Sequence, residues 1–488
     1  MQIRPTLDQV REMAAGGAYR VLPVSCELLS DFTTPIEVLR TLKRVSTHCY
    51  LLESAAGHES WGRYTFLGFD PKLEITCMGG EMRVGSLRFP TERPADCLRQ
   101  ILTDHKSPRL DHLPPFTGGL VGYFSYDYLG CSEPSVRAEV KDTEDFRDLD
   151  LMLLDKVMAF DHLRQKIVLM VNMSLDEPET GYHRAVLELE QLAELLRKGE
   201  KKREPAGRLL GEVMPLFDRE RFCGMVERAK EHIREGDIFQ IVLSNRLSAP
   251  FEGSLLNTYR VLRTLNPSPY MFYFSGTDVE VAGASPETLV KLEDGVLHTF
   301  PLAGTRPRGK TPEEDRALEV ELLSDEKELA EHNMLVDLGR NDLGKVSQFG
   351  TVQVEQFHTV ERFSHVMHIG STVRGELRAD RDALDAIEAV LPAGTLSGAP
   401  KLRACQLIAE LENNKRGIYG GAIGYIDFTG NMDTCIAIRI AYQKNGRVFV
   451  RSGAGIVADS EPEKEYQECI NKAQAVVSAL KLAGEVDL

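Results

Sequence analysis

The sequence predicts an α+β fold in which antiparallel or mixed sheets are covered by helices. The first part of the chain consists mainly of short strand-like segments, and the second part mixes such segments with long helices. Strands and helices seldom alternate one for one along the chain, whereas regular alternation would indicate a parallel sheet.

The predicted strands are short apolar runs rich in β-branched and aromatic residues. Those in the first part are YRVLPVSCEL, YLLESA, YTFLGF, LEITCM, LMLLDKVMAFDH and KIVLMVNM. Those in the second part are IFQIVLSNRL, PYMFYFSG, VEVAGA, GAIGYIDF, TCIAIRIAYQ and RVFVRSGAGIV.

A stretch rich in charge, glycine and proline, residues 195–215, predicts a solvated linker. A helix is predicted before it, from about Glu177 to Leu196, and a second after it, capped by Asp218 and ended by Gly236. The second helix has one apolar stripe, formed by Phe222, Met225, Val226, Ala229 and Ile233. We therefore predict an N-terminal domain of residues 1–205 and a second domain of residues 206–488.

Composition excludes several classes of protein. The 488 residues carry a net charge of −16, which is the wrong sign for a nucleic-acid binder. No apolar run is long enough to span a membrane, and the charged start MQIRPTLDQVREMAAGG lacks the apolar core of a signal peptide. Nine scattered cysteines without a C-x-x-C pair indicate reduced thiols. We expect a cytoplasmic protein.

Two predicted helices carry glutamates at the same spacing, Glu328 with Glu331 and Glu465 with Glu468. Residues at i and i+3 share one helix face, so two such helices that meet would offer four carboxylates around one point. Mg²⁺ prefers oxygen ligands of this kind. The alternative for each pair is an ordinary solvated acidic face.

Three glycine-rich turns lie beside small polar residues: Pro301–Gly309, Pro392–Lys401 and Arg451–Val457. Glycine lets backbone N–H groups approach an anion closely, and the N-terminus of the helix that begins near Pro400 would attract a carboxylate. The alternative is that these are tight turns only. None matches a nucleotide-binding loop.

Two polar residues stand in apolar surroundings. Arg439 lies within CIAIRIAY and must pair with an anion, which is either a structural carboxylate or a carboxylate of the substrate. His368 lies within FSHVMHIGS, where a histidine is more often structural than catalytic.

The same segments resemble the chorismate-utilising enzymes, and among them the anthranilate synthase component I group. The motifs that carry the resemblance are LLESA, GRYTFLG, PFTGGLVGYFSYD, GDIFQIVLS, GASPETLV, PLAGTRPRG, DEKELAEHNMLVDLGRND, HVMHIGSTVRG, PAGTLSGAPK, GIYGGAIGY, IAIRIA and GAGIVADSEPEKEYQE. They follow the family's order and extend over nearly the whole chain. The resemblance implies a two-domain antiparallel β-sandwich surrounded by helices, with the domain of residues 206–488 catalytic.

The resemblance also implies a set of site residues. The four glutamates would bind Mg²⁺, some of them through water, and the metal would hold the ring carboxylate of chorismate. The residues implied to bind the substrate are Tyr419, Arg439, Gly453 and Gly455 at the enolpyruvyl carboxylate, Gly304 and Thr305 at the ring, and Gln240 and Lys401. The residues implied to be catalytic are Glu287, His368 and Thr395.

The implied reaction has two halves. Ammonia adds at C2 of chorismate as the C4 hydroxyl leaves, and pyruvate is then eliminated to give anthranilate. Glu287 would protonate the departing hydroxyl, which requires a carboxyl group that is protonated near neutral pH. His368 would act in the elimination.

Two positions discriminate among relatives. Gln240 stands where the water-using enzymes have a lysine that activates water, and Ala303 stands where many aminodeoxychorismate synthases have a nucleophilic lysine. Both indicate direct amination by ammonia, delivered by a separate glutamine amidotransferase subunit in a hetero-oligomer, a heterotetramer in our prediction. The alternatives are an aminodeoxychorismate synthase that lacks the lysine and a non-catalytic subunit that only binds tryptophan.

The resemblance finally implies feedback inhibition by tryptophan at a site between the two domains. Glu53 would accept the ammonium group of tryptophan, and Ser54 would help to set the loop. The apolar slot for the indole would be formed by Pro269, Tyr270, Met271, Tyr425 and Cys435.

Overall fold

Two large sheets extend through the whole chain. The computed structural model describes residues 2–55, 62–137, 139–362 and 366–486. Its strands are β1 (Ile3–Arg4), β2 (Val21–Leu29), β3 (Cys49–Glu53), β4 (Tyr64–Phe69), β5 (Leu73–Met78), β6 (Glu81–Val84), β7 (Leu87–Pro90), β8 (Gly119–Phe124), β9 (Leu149–Leu154), β10 (Lys156–Asp161), β11 (Lys166–Ser174), β12 (Arg208–Leu209), β13 (Met214–Pro215), β14 (Gln240–Glu252), β15 (Tyr270–Ser275), β16 (Glu280–Ser285), β17 (Thr288–Glu293), β18 (Val296–Thr299), β19 (Leu302–Pro307), β20 (Gln353–Arg362), β21 (Val366–Glu376), β22 (Gly398–Ala399), β23 (Ala422–Asp427), β24 (Met432–Ile436), β25 (Ile440–Lys444) and β26 (Arg447–Ile456).

The α-helices of the described ranges lie on the outside. They are α1 (Leu7–Ala15), α2 (Pro35–Val45), α3 (Pro94–Asp104), α4 (Leu129–Ser132), α5 (Pro178–Lys198), α6 (Arg219–Glu235), α7 (Leu256–Leu265), α8 (Pro312–Ser324), α9 (Glu326–Gly344), α10 (Ala383–Val390), α11 (Lys401–Glu412) and α12 (Pro462–Leu482). None of these helices combines the length and the apolar content needed to cross a bilayer.

Both sheets are antiparallel and join strands from distant parts of the sequence. The larger sheet has 14 strands, in the order β1-β2-β11-β10-β4-β3-β15-β16-β25-β26-β14-β12, with β13 and β22 also paired to β14. The smaller sheet has 12 strands, in the order β19-β21-β18-β17-β24-β23-β8-β9-β5-β6-β7, with β20 paired to β21. Residue 205 lies in the loop between α5 and β12, yet each sheet continues from strands before it to strands after it, at β3–β15 and β8–β23.

The sheets pack face to face, and helices cover their outer faces. In β3, Tyr50 points into the core between the sheets, whereas Cys49 and Leu51 point into the core under the helices. This alternation follows from the two-residue period of a strand. The predicted α+β sandwich surrounded by helices is therefore confirmed.

The helices on either side of the predicted linker are also confirmed. Helix α5 matches the predicted helix, and α6 begins after Asp218, whose side chain accepts a hydrogen bond from the N–H of Arg221. Gly236 ends α6 in the left-handed conformation that a glycine adopts without cost. The linker itself was predicted too long, because α5 extends to Lys198 and residues 208–209 and 214–215 pair with β14.

Two predicted strands are in fact pairs of strands that cross between the sheets. LMLLDKVMAFDH divides at Asp155 into the end of β9 in the smaller sheet and β10 in the larger sheet. TCIAIRIAYQ divides at residues 437–439 into β24 and β25, which also lie in different sheets. The apolar residues continue through each crossing because the chain is buried on both sides of it, so periodicity does not reveal the break.

A fully buried ion cluster ties α11 to the centre of the larger sheet. Glu412 accepts hydrogen bonds from Arg416 at 2.6 Å and from Arg451 of β26 at 2.8 Å, and none of the three side chains is more than 1% exposed. Arg416 also donates to the carbonyl oxygen of Leu396 at 2.7 Å. Burial alone would raise the pKa of Glu412, but the two guanidinium groups outweigh it and hold the pKa below its usual value.

The cluster predicts a large cost for removing its single anion. Glu412→Gln leaves two guanidinium groups buried without a counter-charge, which should lower the free energy of unfolding by about 3–5 kcal/mol. The matched control is Glu252→Gln, which breaks the half-exposed pair with Arg208 and should change stability by less than about 1 kcal/mol. Urea denaturation followed by circular dichroism measures both, and an equal loss in the two variants would contradict the interpretation.

Candidate active site

A cavity of about 670 Å³ opens where both sheets meet α9 and α12. Apart from Lys401, every residue predicted to be catalytic, to bind the substrate or to bind a metal lines it. These residues are Gln240, Glu287, Gly304, Thr305, Glu328, Glu331, His368, Thr395, Tyr419, Arg439, Gly453, Gly455, Glu465 and Glu468.

Two strand crossings build one wall of this cavity. Glu287 lies at the corner between β16 in the larger sheet and β17 in the smaller sheet, and Arg439 lies at the corner between β24 and β25. Ile436 donates its N–H to the carbonyl oxygen of Glu287 at 3.0 Å, and Ala284 donates to that of Arg439 at 3.2 Å. Arg439 turns the chain with a φ of 53°. The two corners thus hold a carboxyl group and a guanidinium group on the same wall.

The environment of Glu287 favours its protonated form. Burial raises the pKa of Glu287 to about 8, although Thr395 donates its hydroxyl to the carboxyl oxygens at 3.2 and 3.3 Å and Arg439 also favours the ionised form. At neutral pH the carboxyl group is therefore mostly protonated and able to act as an acid. Because a protonated Glu287 carries no negative charge, the guanidinium group of Arg439 can pair with an incoming anion.

His368 lies on β21, beside β19, in an orientation that suits a base. Its Nδ1 lies 2.8 Å from the carbonyl oxygen of Gly304 and 3.1 Å from the hydroxyl of Thr305. Because a carbonyl oxygen can only accept, Nδ1 carries the proton and Nε2 is the basic nitrogen. Burial lowers the pKa of His368, so the ring is neutral at neutral pH.

The backbone of β26 forms another part of the wall and approaches its neighbours too closely for side chains. A Cβ atom on Gly453 would lie 3.0 Å from the hydroxyl of Tyr419, and one on Gly455 would lie 2.7 Å from the amide nitrogen of Gln240. Gln240 also donates to Glu331 at 3.1 Å. Glycine at both positions keeps this wall open to a ligand.

The four glutamates face the cavity from α9 and α12. Burial and the neighbouring Glu331 raise the pKa of Glu328, and burial and the neighbouring Glu468 raise the pKa of Glu465. Burial is the larger cause of both shifts, and repulsion within each glutamate pair adds to it. A divalent cation would relieve that repulsion.

Two cations that the sequence analysis missed partly offset this charge. Arg306 of β19 lies 3.4 Å from Glu328, and Lys472 of α12 lies 2.6 Å from Glu468. The i,i+4 spacing of Glu468 and Lys472 on one helix could have revealed the second pair. The first pair joins a strand to a helix, so no spacing in the sequence reveals it.

The glutamates do not form a closed cage. Among the described residues, one group of three potential ligands has its ligand atoms within 4.8 Å of one another: His232, Glu235 and Asp237, at the end of α6. No three of the four cavity glutamates bring their ligand atoms this close together. They therefore fit a cation that keeps some water ligands or is also held by the substrate, as Mg²⁺ commonly is.

Lys401 does not reach the cavity, contrary to its predicted role in binding the substrate. Its ammonium group is buried and bonds to Asp342 at 2.5 Å and to the carbonyl oxygen of Val390 at 2.8 Å. The side chain at the start of α11 therefore anchors this helix to α9 instead of binding a ligand.

A second cavity, of about 520 Å³, lies at the seam where β3 pairs with β15. We call it the seam cavity. The residues predicted for the tryptophan site all line it: Glu53, Ser54, Pro269, Tyr270, Met271, Tyr425 and Cys435.

Glu53 is already paired within the protein. Its carboxylate accepts hydrogen bonds from Arg263 at 2.5 and 3.1 Å and from the hydroxyl of Tyr259. An incoming ammonium group would therefore have to share this charge with Arg263. Arg263 was not predicted from the sequence, because it lies more than 200 residues from Glu53 and meets it only in the folded chain.

Comparisons with known proteins agree with this geometry. A family model described as chorismate binding enzyme matches residues 47–478. Anthranilate synthase component 1 of Acetivibrio thermocellus is 46% identical over 99% of both chains. The protein of the same name from Pseudomonas aeruginosa is 44% identical over 98% of both chains.

Solved structures show the same relationship. Anthranilate synthase component I of Streptococcus pneumoniae matches with a TM-score of 0.77 and 41% identity, over 85% of this chain and 92% of that one. The menaquinone-specific isochorismate synthase of Escherichia coli has the same fold, with a TM-score of 0.72 and 20% identity over 97% of this chain and 98% of that one. The chain therefore belongs to the chorismate-binding enzyme family, within its anthranilate synthase component I group.

Proposed function

We propose that the chain is the large subunit of an anthranilate synthase, which converts chorismate and ammonia into anthranilate and pyruvate. The observation that carries this proposal is the wall that holds Glu287 and Arg439. A half-buried carboxyl group with a pKa of about 8 beside a half-buried guanidinium group offers an acid and an anion-binding group together. The names of the 42–46% identical relatives support the same assignment.

Chorismate is a dianion, and the cavity offers different partners to its two carboxylates. Arg439, Tyr419 and the N–H groups around Gly453 and Gly455 suit the enolpyruvyl carboxylate. Helices α9 and α12 line the cavity with carboxylates, so the ring carboxylate needs a cation there. Glu328, Glu331, Glu465 and Glu468 would hold Mg²⁺ directly or through water. When bound, the metal supplies positive charge that neutralises the ring carboxylate.

Glu287 is the proposed acid of the first half-reaction. Ammonia attacks C2, both ring double bonds shift by one position, and the C4 hydroxyl leaves as water after it takes the proton of Glu287. The new ammonium group then loses a proton to give the amine, which restores the charge balance. The intermediate is aminodeoxyisochorismate. Thr395 holds the carboxyl group in place through its hydroxyl.

His368 is the proposed base of the second half-reaction. Neutral Nε2 removes the proton from C2, the enolpyruvyl group leaves with the electrons of its bond to the ring, and the ring becomes aromatic. Gly304 and Thr305 fix the tautomer that this step needs.

The choice of ammonia as nucleophile rests on Gln240 and Ala303, both of which line the cavity. Neither residue activates water as a lysine base would or attacks the ring covalently. The component 1 names of the relatives imply a second component. We propose that this component is a glutamine amidotransferase subunit that supplies the ammonia. The remaining alternatives are an aminodeoxychorismate synthase and a subunit that only binds tryptophan.

The seam cavity is the proposed site of feedback inhibition by tryptophan. Tyr270, Met271 and Tyr425 offer aromatic and apolar surface for an indole ring. Because strands from both parts of the chain line the cavity, a ligand there would stabilise one relative arrangement of them. The coupling is reciprocal, so chorismate should weaken tryptophan binding as much as tryptophan weakens chorismate binding.

The isolated chain should convert chorismate to anthranilate with ammonium salts and Mg²⁺, and it should not use glutamine. Free NH₃ is the reactive species, so the rate at a fixed ammonium concentration should rise between pH 7 and about 8. Anthranilate fluorescence measures the product, and chromatography distinguishes it from aminodeoxychorismate. Formation of aminodeoxychorismate alone would favour the first alternative, and tryptophan binding without turnover the second.

The metal is tested in the same assay. Excess chelator should abolish turnover, and added Mg²⁺ should restore it. Glu331→Gln should raise the Mg²⁺ concentration needed for half-maximal activity by about 10-fold or more. The matched control is Glu326→Gln, which changes an exposed residue of the same helix outside the cavity. Equal Mg²⁺ dependence of the two variants would contradict the assigned ligand.

The protonation of Glu287 predicts the alkaline limb of the pH profile. At constant free NH₃, turnover should fall as pH rises through about 8, because the ionised carboxylate has no proton to donate. Glu287→Gln should lower the rate of amination by about 10²–10⁴-fold, and its pH profile should lack the alkaline limb. Thr395→Val removes a hydroxyl that stabilises the ionised form, so its limb should move to higher pH. A limb that moves to lower pH would exclude Glu287 as the acid.

Tryptophan inhibition is tested by a change that fills the seam cavity. Wild type should show a roughly 5- to 150-fold weaker affinity for chorismate at saturating tryptophan. Ser54→Phe places a ring where Ser54 lines the cavity, and it should weaken inhibition while uninhibited turnover stays near that of wild type. Titration with tryptophan at fixed chorismate measures both. Inhibition of the variant at wild-type concentrations would show that the regulatory site lies elsewhere.

A further inference from the structure

The wall between the two cavities contains one hydrogen-bonded cluster. The hydroxyl of Tyr270 lies 2.8 Å from a carboxylate oxygen of Asp433 and 2.9 Å from the hydroxyl of Thr288. Tyr270 and Asp433 line the seam cavity, whereas Thr288 does not. Thr288 directly follows Glu287, which lines the active-site cavity. One side-chain hydrogen bond and one peptide unit therefore separate the seam cavity from the proposed acid.

Thr288 is built into the corner that carries Glu287. It is the first residue of β17 and lies opposite Cys435 of β24. The next residue of β24, Ile436, donates its N–H to the carbonyl oxygen of Glu287 at 3.0 Å and accepts a hydrogen bond from the hydroxyl of Ser285 at 2.7 Å. A displacement of Thr288 therefore moves the peptide on which the Glu287 side chain depends.

We propose that Tyr270 and Thr288 are positioning residues that transmit the occupancy of the seam cavity to Glu287. This inference rests on the proposed regulatory function of that cavity. The ring and the hydroxyl of Tyr270 move as one rigid body, so a ligand that packs against the ring displaces the hydroxyl. A displacement of about 0.7 Å stretches a hydrogen bond of 2.8–2.9 Å beyond 3.5 Å, where it is lost.

Loss of this hydrogen bond would change the position of the proposed acid, Glu287. With the bond between Tyr270 and Thr288 intact, Thr288 keeps the corner in the geometry that aims Glu287 at the cavity. With the bond broken, the corner relaxes and chorismate meets a misplaced carboxyl group. A competing route would pass along the β3–β15 seam, where Met271 pairs with Glu53, and would leave Thr288 uninvolved.

Substitutions of Thr288 separate these routes without touching the seam cavity. Thr288→Val keeps the shape of the side chain and removes the hydroxyl, and Thr288→Ser keeps the hydroxyl. The matched control is Thr434→Val on β24. Thr434 is buried like Thr288 and lines neither cavity, and its hydroxyl bonds to the carbonyl oxygen of Val290 at 2.8 Å.

Two quantities are measured for each protein. Calorimetry gives the Kd of tryptophan, and steady-state kinetics with ammonium give the fold-decrease of kcat/KM for chorismate at saturating tryptophan. Wild type, Thr288→Ser and Thr434→Val should show the full decrease, roughly 5- to 150-fold. Thr288→Val should bind tryptophan within about 3-fold of wild type and show a decrease below about 3-fold.

The outcomes separate this inference from the function on which it rests. If wild type binds tryptophan and is inhibited, and Thr288→Val is inhibited equally, the relay is overturned and the regulatory site stands. If Thr434→Val loses the coupling as fully as Thr288→Val, a general loosening of the sheet explains both and the relay is again overturned. If wild type binds no tryptophan, the regulatory proposal and the relay both fail.

Discussion

The active-site geometry depends on strands that leave one sheet and enter the other. Each crossing must turn an apolar chain sharply at the end of the sandwich, where the core is still closed. Glu287 and Arg439 occupy two such turns, and backbone hydrogen bonds connect the turns to each other's strands. Because rigid sheets fix both ends of each turn, an acid and a guanidinium group can be held in a poorly solvated wall without collapsing onto each other.

The site concentrates positively charged groups in a protein whose net charge is negative. A chain with a net charge of −16 has to attract a dianion, so its positive groups must be concentrated and its negative groups shielded. Arg306 and Lys472 lie against the glutamates, and Arg439 lines the same cavity. The buried cluster of Glu412, Arg416 and Arg451 adds one net positive charge, and its Arg451 also lines the cavity.

Hydrophobic periodicity and capping residues were sufficient to predict many of the helices and strands. Helix α6 has a capping aspartate, one apolar stripe and a terminal glycine, and these features depend only on neighbours in the sequence. The crossings at Asp155 and Arg439 could not be predicted in this way, because a segment buried on both sides keeps its apolar pattern when it changes sheets. The long-range pairing of the strands likewise depends on contacts that no local pattern encodes.

Most of the residues predicted for the site line its cavity, but one does not, and several charged partners were not predicted. Local patterns indicated the two glutamate pairs and the glycine-rich turns, whereas the roles of most cavity residues were implied only by the family resemblance. Lys401 was assigned wrongly to the cavity because a lysine at a helix start looks the same whether it bonds to a ligand or to Asp342. Arg263 and Arg306 were missed because each meets its glutamate from another element. The sequence shows which charged residues are present, whereas the packing of the folded chain determines which groups they pair with.

The continuity of both sheets across residue 205 also has a consequence for biosynthesis. The strands before that residue leave two buried strands, β3 and β8, as open edges until β15 and β23 are made. At ~5–20 residues per second, the ribosome needs roughly 10 to 60 s to supply these partners. During that interval the nascent chain presents unpaired backbone on apolar strands, the surface that promotes aggregation. Chaperone dependence should therefore begin early in synthesis and persist until β23 is made, well into the second half of the chain.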